Sequence, residues 1–536
     1  MLGCSRWWST TIPCGGLINP SSTSPSRYGS MSYSSNGLGG PKSAAAASRS
    51  RRRSHAAITG SAEAHSSSRS REEEEGKRKK KVSVIGSGWA GLGAAHHLCN
   101  QGFEVTVFED GNGFGSSDNA GIIQGFWYPY KNIFSLVDEL GIKPFTNWMK
   151  SAVYSSEGLE VEFPVFQDLQ QLPAPLGTLL YTQFKQLPWV DRLSSLPLMA
   201  AVIDFDNTEM AWRKYDSITA RELFKQFGCS ERFYRQVFDP LLHVGLFAPP
   251  EQCSAAAALG ILYYTSIAHQ KDFDVVWCRG EVKETIFDPW KASLRSRGCR
   301  FMEGREVRDL VFDEGTSSIS AVFCSSDELV YADAVVLAVG VSTVQELVKN
   351  SAALRSRDEF LKVLKLASID VITAKLWLDK KVNIPNPSNA CSATDESFGW
   401  TFFHLNALRD EYKDCPHTVL QADFFNASEF VPLNDDDIAK RIISNLGKCA
   451  NDIENASLVD MDISTSPKSL THFFPGSYKH MMRGSTSFPN LFMAGDWIVN
   501  RHGSWSQEKG LRERLGSSEP SCGFGWKRKL CQDHPG

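Results

Sequence analysis

Residues Val84-Ile85-Gly86-Ser87-Gly88-Trp89-Ala90-Gly91, with Ala95 beyond, carry the clearest chemical signal in the chain. Gly86 permits a tight turn. Gly88 lets backbone approach a pyrophosphate. Gly91 and Ala95 let a helix pack close to a strand, with its N-terminus facing the anion. The spacing G-x-G-x-x-G alone is a weak signal. Here it follows a β-type run and opens a helical one, and Glu109 ends the next strand 23 residues after Gly86. A carboxylate there can accept a hydrogen bond from a ribose 2′-OH, with Asp110 beside it. A glycine-rich turn plus a surface glutamate is the bland alternative. The pattern predicts dinucleotide binding by Gly86, Gly88, Trp89, Ala90, Gly91, Glu109 and Asp110, and does not separate FAD from NAD.

Two later features bear on that choice. Glu306-Val307 follows a glycine-containing turn, and Ala332-Asp333-Ala334-Val335-Val336-Leu337-Ala338-Val339-Gly340 comes after it. Near the end stands Asn490-Leu491-Phe492-Met493-Ala494-Gly495-Asp496-Trp497. Each is a short strand ending at a small-residue turn, and Asp496 alone could be an N-cap. In this order they resemble the two-dinucleotide-binding-domain flavoproteins of the amine oxidase and carotenoid desaturase superfamily. The resemblance implies FAD. It implies that Val307 lends its backbone to the adenine, that Ala338 and Gly340 close the FAD domain, and that Gly495 and Asp496 meet the ribityl and phosphate part.

Further stretches are similar to the phytoene and ζ-carotene desaturases: Gly125–Phe134, Leu136–Ile142, Leu172–Leu176, Ala220–Leu262 and Val371–Val382. The likeness runs from about 82 to 509 and is weak around 385–480. It departs from the family in three places. Where the family usually has a Gly-Gly-Arg-type turn, this chain reads Gly113-Phe114-Gly115-Ser116-Ser117, so Gly115 keeps a cofactor role without the arginine. The amine oxidase lysine near flavin N5 maps to Thr373, with Lys375 two residues away, which leaves Lys375 as a candidate or as a strand-edge charge. Finally, Gly510–Gly536 has five Gly, two Pro and no helical period where the family has a helix beside the flavin. It reads as an atypical tail that would remove one wall of the flavin site. His502 and Trp505 fall where the flavin should be, as candidates for steering a proton or packing the ring, or as structural residues.

The elements that position these groups follow from hydrophobic period. Val82–Ile85 and Phe103–Glu109 read as strands around a helix Ala90–Gln101, with Gly102 as its C′ residue. Ile133–Leu140, Ala220–Phe227, Glu231–Val237 and Ala255–Ile267 read as helices. Cys299–Phe312, Ser320–Phe323, Ala334–Val339, Val371–Leu378 and Leu491–Ala494 read as strands. The expected fold class is α/β: a doubly wound, Rossmann-like FAD domain with an inserted α+β substrate domain. The expected divisions are a transit peptide and disordered linker 1–78, FAD-binding 79–150, 276–345 and 485–509, substrate domain 151–275 (mainly helical) and 346–484 (sheet-containing), and tail 510–536.

With 536 residues, 42% apolar and 22% charged, the chain can build a large core. Thirteen cysteines form no C-x-x-C pair, and reduced thiols are expected. No metal pattern, Ser-His-Asp, H-E-x-x-H or P-loop appears. Residues 1–70 hold eight Lys/Arg, one Glu and 19 Ser. That composition resembles a plastid transit peptide, or is a disordered tail, and the Arg71–Lys81 run is a solvated linker. The remainder carries 49 basic and 60 acidic residues, which argues against nucleic-acid binding. No stretch of 18 apolar residues exists, so no membrane span is expected. Gln171–Phe205 is Pro-rich and apolar. It would face a membrane, as the resemblance implies, or form a buried cap over the substrate.

Together these readings imply hydride transfer from a C–H bond to flavin N5, with quinone or oxygen as final acceptor. No acid or base could be placed, which favours a hydrophobic polyene over an amine. An amine oxidase using oxygen is the rival. A flavin-poor isoform that binds a partner or lipid is the rival of another class.

Overall fold

The computed structural model describes residues 78–110, 121–155, 158–173, 176–266, 270–391, 399–449, 453, 455–499 and 506–512. The chain enters with strand β1 (Lys81–Ile85), helix α1 (Trp89–Asn100) and β2 (Glu104–Phe108), then β3 (Gly125–Trp127) and α2 (Lys131–Leu140). Strands β4 (Ser151–Ser155), β5 (Gly158–Phe163) and β6 (Gln183–Phe184) lead into a stretch of helices. These are α3 (Leu176–Tyr181, between β5 and β6), α4 (Trp189–Leu193), α5 (Leu198–Phe205), α6 (Glu209–Tyr215), α7 (Ala220–Gln226), α8 (Asp239–Leu246) and α9 (Ala255–Ser266). Next come β7 (Val275–Trp277), α10 (Asp288–Ser296), β8 (Arg300–Met302), β9 (Val307–Asp313), β10 (Ser318–Cys324), β11 (Leu329–Tyr331), β12 (Ala334–Leu337) and α11 (Val341–Asn350). The last part holds β13 (Ala367–Leu378), β14 (Ser388–Cys391), β15 (Gly399–His404), β16 (Thr418–Phe425), α12 (Asp435–Cys449), β17 (Leu458–His472), β18 (Leu491–Met493) and α13 (Gln507–Arg512).

Five strands form a parallel sheet in the order β18-β12-β1-β2-β8. Side chains alternate across it. Val82, Val84, Val105 and Val107 pack with Leu92, Ala95 and Leu98 of α1 on one face. Ile85, Val335 and Leu337 pack with Val344, Leu347 and Val348 of α11 on the other. Both faces are therefore buried, which explains the near-continuous apolar strands. Gly102 has φ +86 just past α1, and Gly141 has φ +67 just past α2. Each supplies the left-handed turn that ends a helix.

The second large sheet is mixed, in the order β17-β13-β16-β15-β14-β4-β5-β6, and only the β14–β4 pair is parallel. One face rests on α12, whose Ile438, Ile442 and Leu446 repeat every four residues. Strands β9, β10 and β11 form a small antiparallel sheet, and β3 pairs with β7.

Several sequence expectations are corrected. The run Cys299–Phe312 is two strands, because Gly304 (φ +67) turns the chain between β8 and β9. Residues 151–275, expected to be mainly helical, also contribute β4, β5 and β6 to the mixed sheet. The helix in the last segment does not stop at 509. It continues to Arg512, because Leu511 is fully buried in the core beside α1. Burial of one leucine is worth about 1.5–3 kcal/mol, enough to hold the extra turn. The rest of the expected tail, 513–536, lies outside the described residues. Cys391 and Cys449 bring their sulfurs to 3.8 Å as free thiols between β14 and α12.

Candidate FAD site

The carboxyl ends of β1, β12 and β18 converge on one edge of the parallel sheet. The turn after β1 is fixed by close backbone approach. Gly86 has φ +104, and a Cβ there would lie 2.3 Å from the Ala338 carbonyl oxygen. A Cβ on Gly91 would lie 1.9 Å from the Gly86 carbonyl oxygen. Neither position admits a side chain.

Gly88 is the N-cap of α1 and offers no capping side chain. Gly340 does the same for α11 at the end of β12. Two helix starts, each leaving first-turn N–H groups without a side-chain cap, therefore face the same edge. Trp89 and Ala90 supply backbone to the first of them. The Trp89 indole turns inward to the core, 4.9 Å from Phe287 and 5.8 Å from Phe126 between ring centres. Its Nε1 donates to Gln124 Oε1 at 3.1 Å.

The third strand end is locked to the second. Ala494 N–H donates to the Leu337 carbonyl at 2.9 Å, and Trp497 Nε1 donates to the Val339 carbonyl at 3.0 Å. Gly495 adopts φ +152, and Asp496 is left half-buried at the edge. Asp333 lies at the opposite end of β12. Its carboxylate accepts from the Lys81 N–H and from Arg78. It pins β12 to β1 rather than facing the glycine turn.

Glu109 is buried at the end of β2, and its Oε2 accepts from Lys291 Nζ at 2.7 Å. Lys291 comes from α10 and is also buried. The pair gives this buried carboxylate a counter-charge from within the fold. Asp110 is exposed next to it. Val307 starts β9 and pairs with Cys324. Gly115, His502 and Trp505 lie outside the described residues.

The edge is closed by α13. Glu508 is buried, and its carboxylate accepts from the N–H groups of Asn132 and Ile133 at 2.9 and 3.1 Å. That is a charged cap on the start of α2. A Cβ on Gly510 would sit 3.7 Å from the Ala90 nitrogen, so α13 packs directly on the start of α1.

This donor set suits a dinucleotide: uncapped N–H groups for phosphates, a carboxylate for ribose, and glycines that leave no side chain in the way. A profile of the family described as "Flavin containing amine oxidoreductase" matches residues 89–507. The chain belongs to the flavin-containing amine oxidoreductase family. It is an oxidoreductase, and its cofactor is FAD.

Relatives within this family sharpen the picture. A Synechococcus elongatus protein described as "Probable zeta-carotene desaturase" is 23% identical, over 78% of this chain and 93% of its own length. The 15-cis-phytoene desaturase of Narcissus pseudonarcissus is 22% identical, over 78% of this chain and 76% of its own. Among solved structures, cyclohexylamine oxidase from Brevibacterium oxydans is similar with a TM-score of 0.58 and 14% identity, covering 81% of this chain and 97% of its own. That likeness concerns the fold. The family fold and the desaturase-like type expected from the sequence both stand.

In the mixed sheet, Thr373 is buried and Lys375 is half-buried on the same face of β13. Lys375 extends its Nζ to 5.7 Å from the Tyr412 ring centre. No acid or base could be placed from the sequence; the sheet holds a buried carboxylate beside Thr373. This is Asp423 on β16, fully buried and directly across from Thr373.

Sequence reasoning missed Lys291, Glu508 and Asp423. Lys291 stands three residues before Leu294 and beside Trp290, on the buried face of α10, and that phase was a usable signal. Asp423 interrupts the apolar run Thr418–Phe425, sharing its strand face with Gln421.

Proposed function

We propose that this chain is a desaturase-type flavoenzyme that oxidises a hydrophobic, isoprenoid polyene. The observation that carries this reading is the likeness to carotenoid desaturases over 78% of this chain. Bound FAD supplies a two-electron acceptor for hydride. Quinone or oxygen then takes the electrons. The glycine turns and Glu109 hold the nucleotide, with Val307, Asp110, Gly115, Gly495 and Asp496 as further contacts. The mixed sheet offers the substrate a wall.

A substrate of this class resides in lipid. Helices α3, α4 and α5 expose Leu176, Leu180, Trp189, Val190, Leu193 and Ile203, each more than half exposed except Leu176, which is at 50%. So many exposed large apolar side chains between Leu176 and Ile203 suit a membrane interface. Among the described residues no helix is long and apolar enough to cross a membrane. Residues 171–205 therefore act as a peripheral contact that admits substrate.

The test presents ζ-carotene or phytoene in liposomes to the FAD-loaded protein with a quinone. Co-sedimentation and a product lighter by two hydrogens are expected. A protein that ignores both the vesicles and the polyenes, but oxidises polyamines with peroxide release, would overturn the reading.

Residues 1–70 are proposed to direct import into plastids, in keeping with plant relatives whose names place them in chloroplasts or chromoplasts. A fluorescent fusion of that segment should enter plastids. Retention in the cytosol would refute it.

A further inference from the structure

The mixed sheet carries a buried polar row that the nucleotide site does not use. Its register settles which side chains share a face. Ile372, Ala374, Leu376 and Leu378 of β13 pack into the core under α12, so Thr373 points to the opposite side. Thr373 faces Asp423 across the ladder, and Asp423 faces Thr401 on its other side. Directly opposed residues hold their Cβ atoms about 5 Å apart. All three are buried.

Asp423 is held by neutral donors. The Ile123 N–H donates to Oδ2 at 3.0 Å, and Gln421 Nε2 donates to Oδ1 at 2.8 Å. Gln421 Nε2 also reaches the Gly121 carbonyl at 2.8 Å. Gln124, next to Ile123, is the acceptor for Trp89 at the start of α1. Segment 121–124 thus runs from the polar row to the first turn of the nucleotide helix.

The charged neighbours are engaged elsewhere. Arg409 pairs with Glu281 at 3.2 Å, and Lys375 leans on Tyr412. Among the described residues no cation hydrogen-bonds to Asp423. Three buried polar atoms in this neighbourhood have no hydrogen-bond partner: Thr401 Oγ1, Nε2 of His243 from α8, and Nη1 of Arg409, whose contact with Glu281 is an ion pair only. The His243 ring packs against Gly399, two residues before Thr401 on the same face of β15. A buried carboxylate held by neutral donors, with unsatisfied polar atoms around it, is costly in a sealed core but suits a site completed by a ligand.

We infer that Asp423 is the proton acceptor of the substrate pocket, flanked by Thr401 and Thr373. This rests on the desaturation reading above. Making a C=C bond from CH–CH removes one hydrogen with its electron pair, which goes to FAD. The neighbouring carbon loses its hydrogen as a proton to the Asp423 carboxylate, and that C–H electron pair becomes the π bond. Quinone or oxygen later takes the two electrons from the flavin.

Burial pushes the Asp423 pKa up to about 7, against the pull of Gln421, the Ile123 N–H and more distant Arg409; Glu281 acts in the same direction as burial. The accepting form therefore prevails above about pH 7 and is lost below it.

The test compares FAD-loaded wild type with Asp423→Asn, which keeps the shape and one acceptor oxygen. Anaerobic flavin reduction by ζ-carotene in liposomes at pH 8 should slow by about 100-fold or more, with flavin content unchanged. Wild type should lose rate about tenfold per pH unit below about pH 7, as a single carboxylate protonates. The variant should show no such limb.

A second readout needs no substrate. The midpoint potential of the bound flavin, followed against pH, should differ between wild type and variant around pH 7, beyond the slope change that the reduced flavin's own ionisation gives both. If ζ-carotene and phytoene fail to reduce the wild type but that difference is present, the substrate class falls and the placement of Asp423 stands. Superimposable potential profiles, or a variant that reduces at the wild-type rate, would overturn the inference. Should the variant not fold, the wild-type rate profile decides.

Discussion

Gly91→Ala should purify without flavin colour. One methyl group is enough, because its position is already occupied by backbone. The Cβ would meet the Gly86 carbonyl oxygen at 1.9 Å and its carbon at 2.7 Å. Gly86 cannot retreat, since its own turn lies against the Ala338 carbonyl at φ +104. Either the turn opens or α1 moves off the sheet, and both displace the N–H groups that would hold the pyrophosphate.

Overpacking of this kind typically costs about 1–3 kcal/mol in stability. The loss of flavin should be more complete than the loss of fold: under about a tenth of wild-type occupancy, not restored by added FAD. Gly102→Ala is the control. Its φ is +86, but nothing lies within 4 Å of the new methyl group. It should cost about 1–2 kcal/mol of backbone strain and keep its flavin. A yellow, stoichiometric Gly91→Ala protein would contradict the placement of the nucleotide.

The second large effect is expected at Lys291. Lys291→Met leaves the Glu109 carboxylate buried without its counter-charge. Removing one partner of a buried pair costs about 3–5 kcal/mol. The thermal midpoint should fall accordingly, and FAD should bind more weakly, because a buried carboxylate without its partner turns away from the ribose. The double variant Glu109→Leu with Lys291→Met separates the two roles. It removes both charges, so most of the stability should return while FAD affinity stays low. Differential scanning calorimetry with FAD titration checks both. If Lys291→Met alone costs less than about 1 kcal/mol, the pair behaves like a surface ion pair and the argument fails.

The nucleotide half of this fold was legible in sequence because local signals and tertiary role coincide there. Gly86, Gly88 and Gly91 are required by backbone geometry, and geometry constrains residue type. The strands Val82–Ile85 and Leu491–Met493 are buried on both faces, which leaves a plain apolar run. The substrate sheet was less legible. Its strands are read by alternation, and β16 is buried throughout, so Gln421 and Asp423 look like breaks in an apolar strand rather than a site. Only the register with β13 and β15 brings Thr373, Asp423 and Thr401 into one row, and register is a tertiary fact.

The start of the C-terminal segment shows the same limit from the other side. Composition made Gly510–Gly536 look foreign to the fold. Gly510 is in fact suited to its place, because α13 approaches Ala90 closely, and Leu511 is core. A glycine and a leucine carry no sign of their partners when the partners lie some 400 residues away. Glu508 is the same case: its role as a cap exists only once α2 is beside it.

On the proposed function this chain holds FAD and passes hydride to it from a polyene. Anaerobic mixing of the FAD-loaded protein with liposomal ζ-carotene or phytoene, and separately with putrescine, tests it most directly. Bleaching of the oxidised flavin spectrum by a polyene and not by the amine is the predicted result. Bleaching by putrescine alone, or a folded protein that takes up no FAD at all, would contradict it.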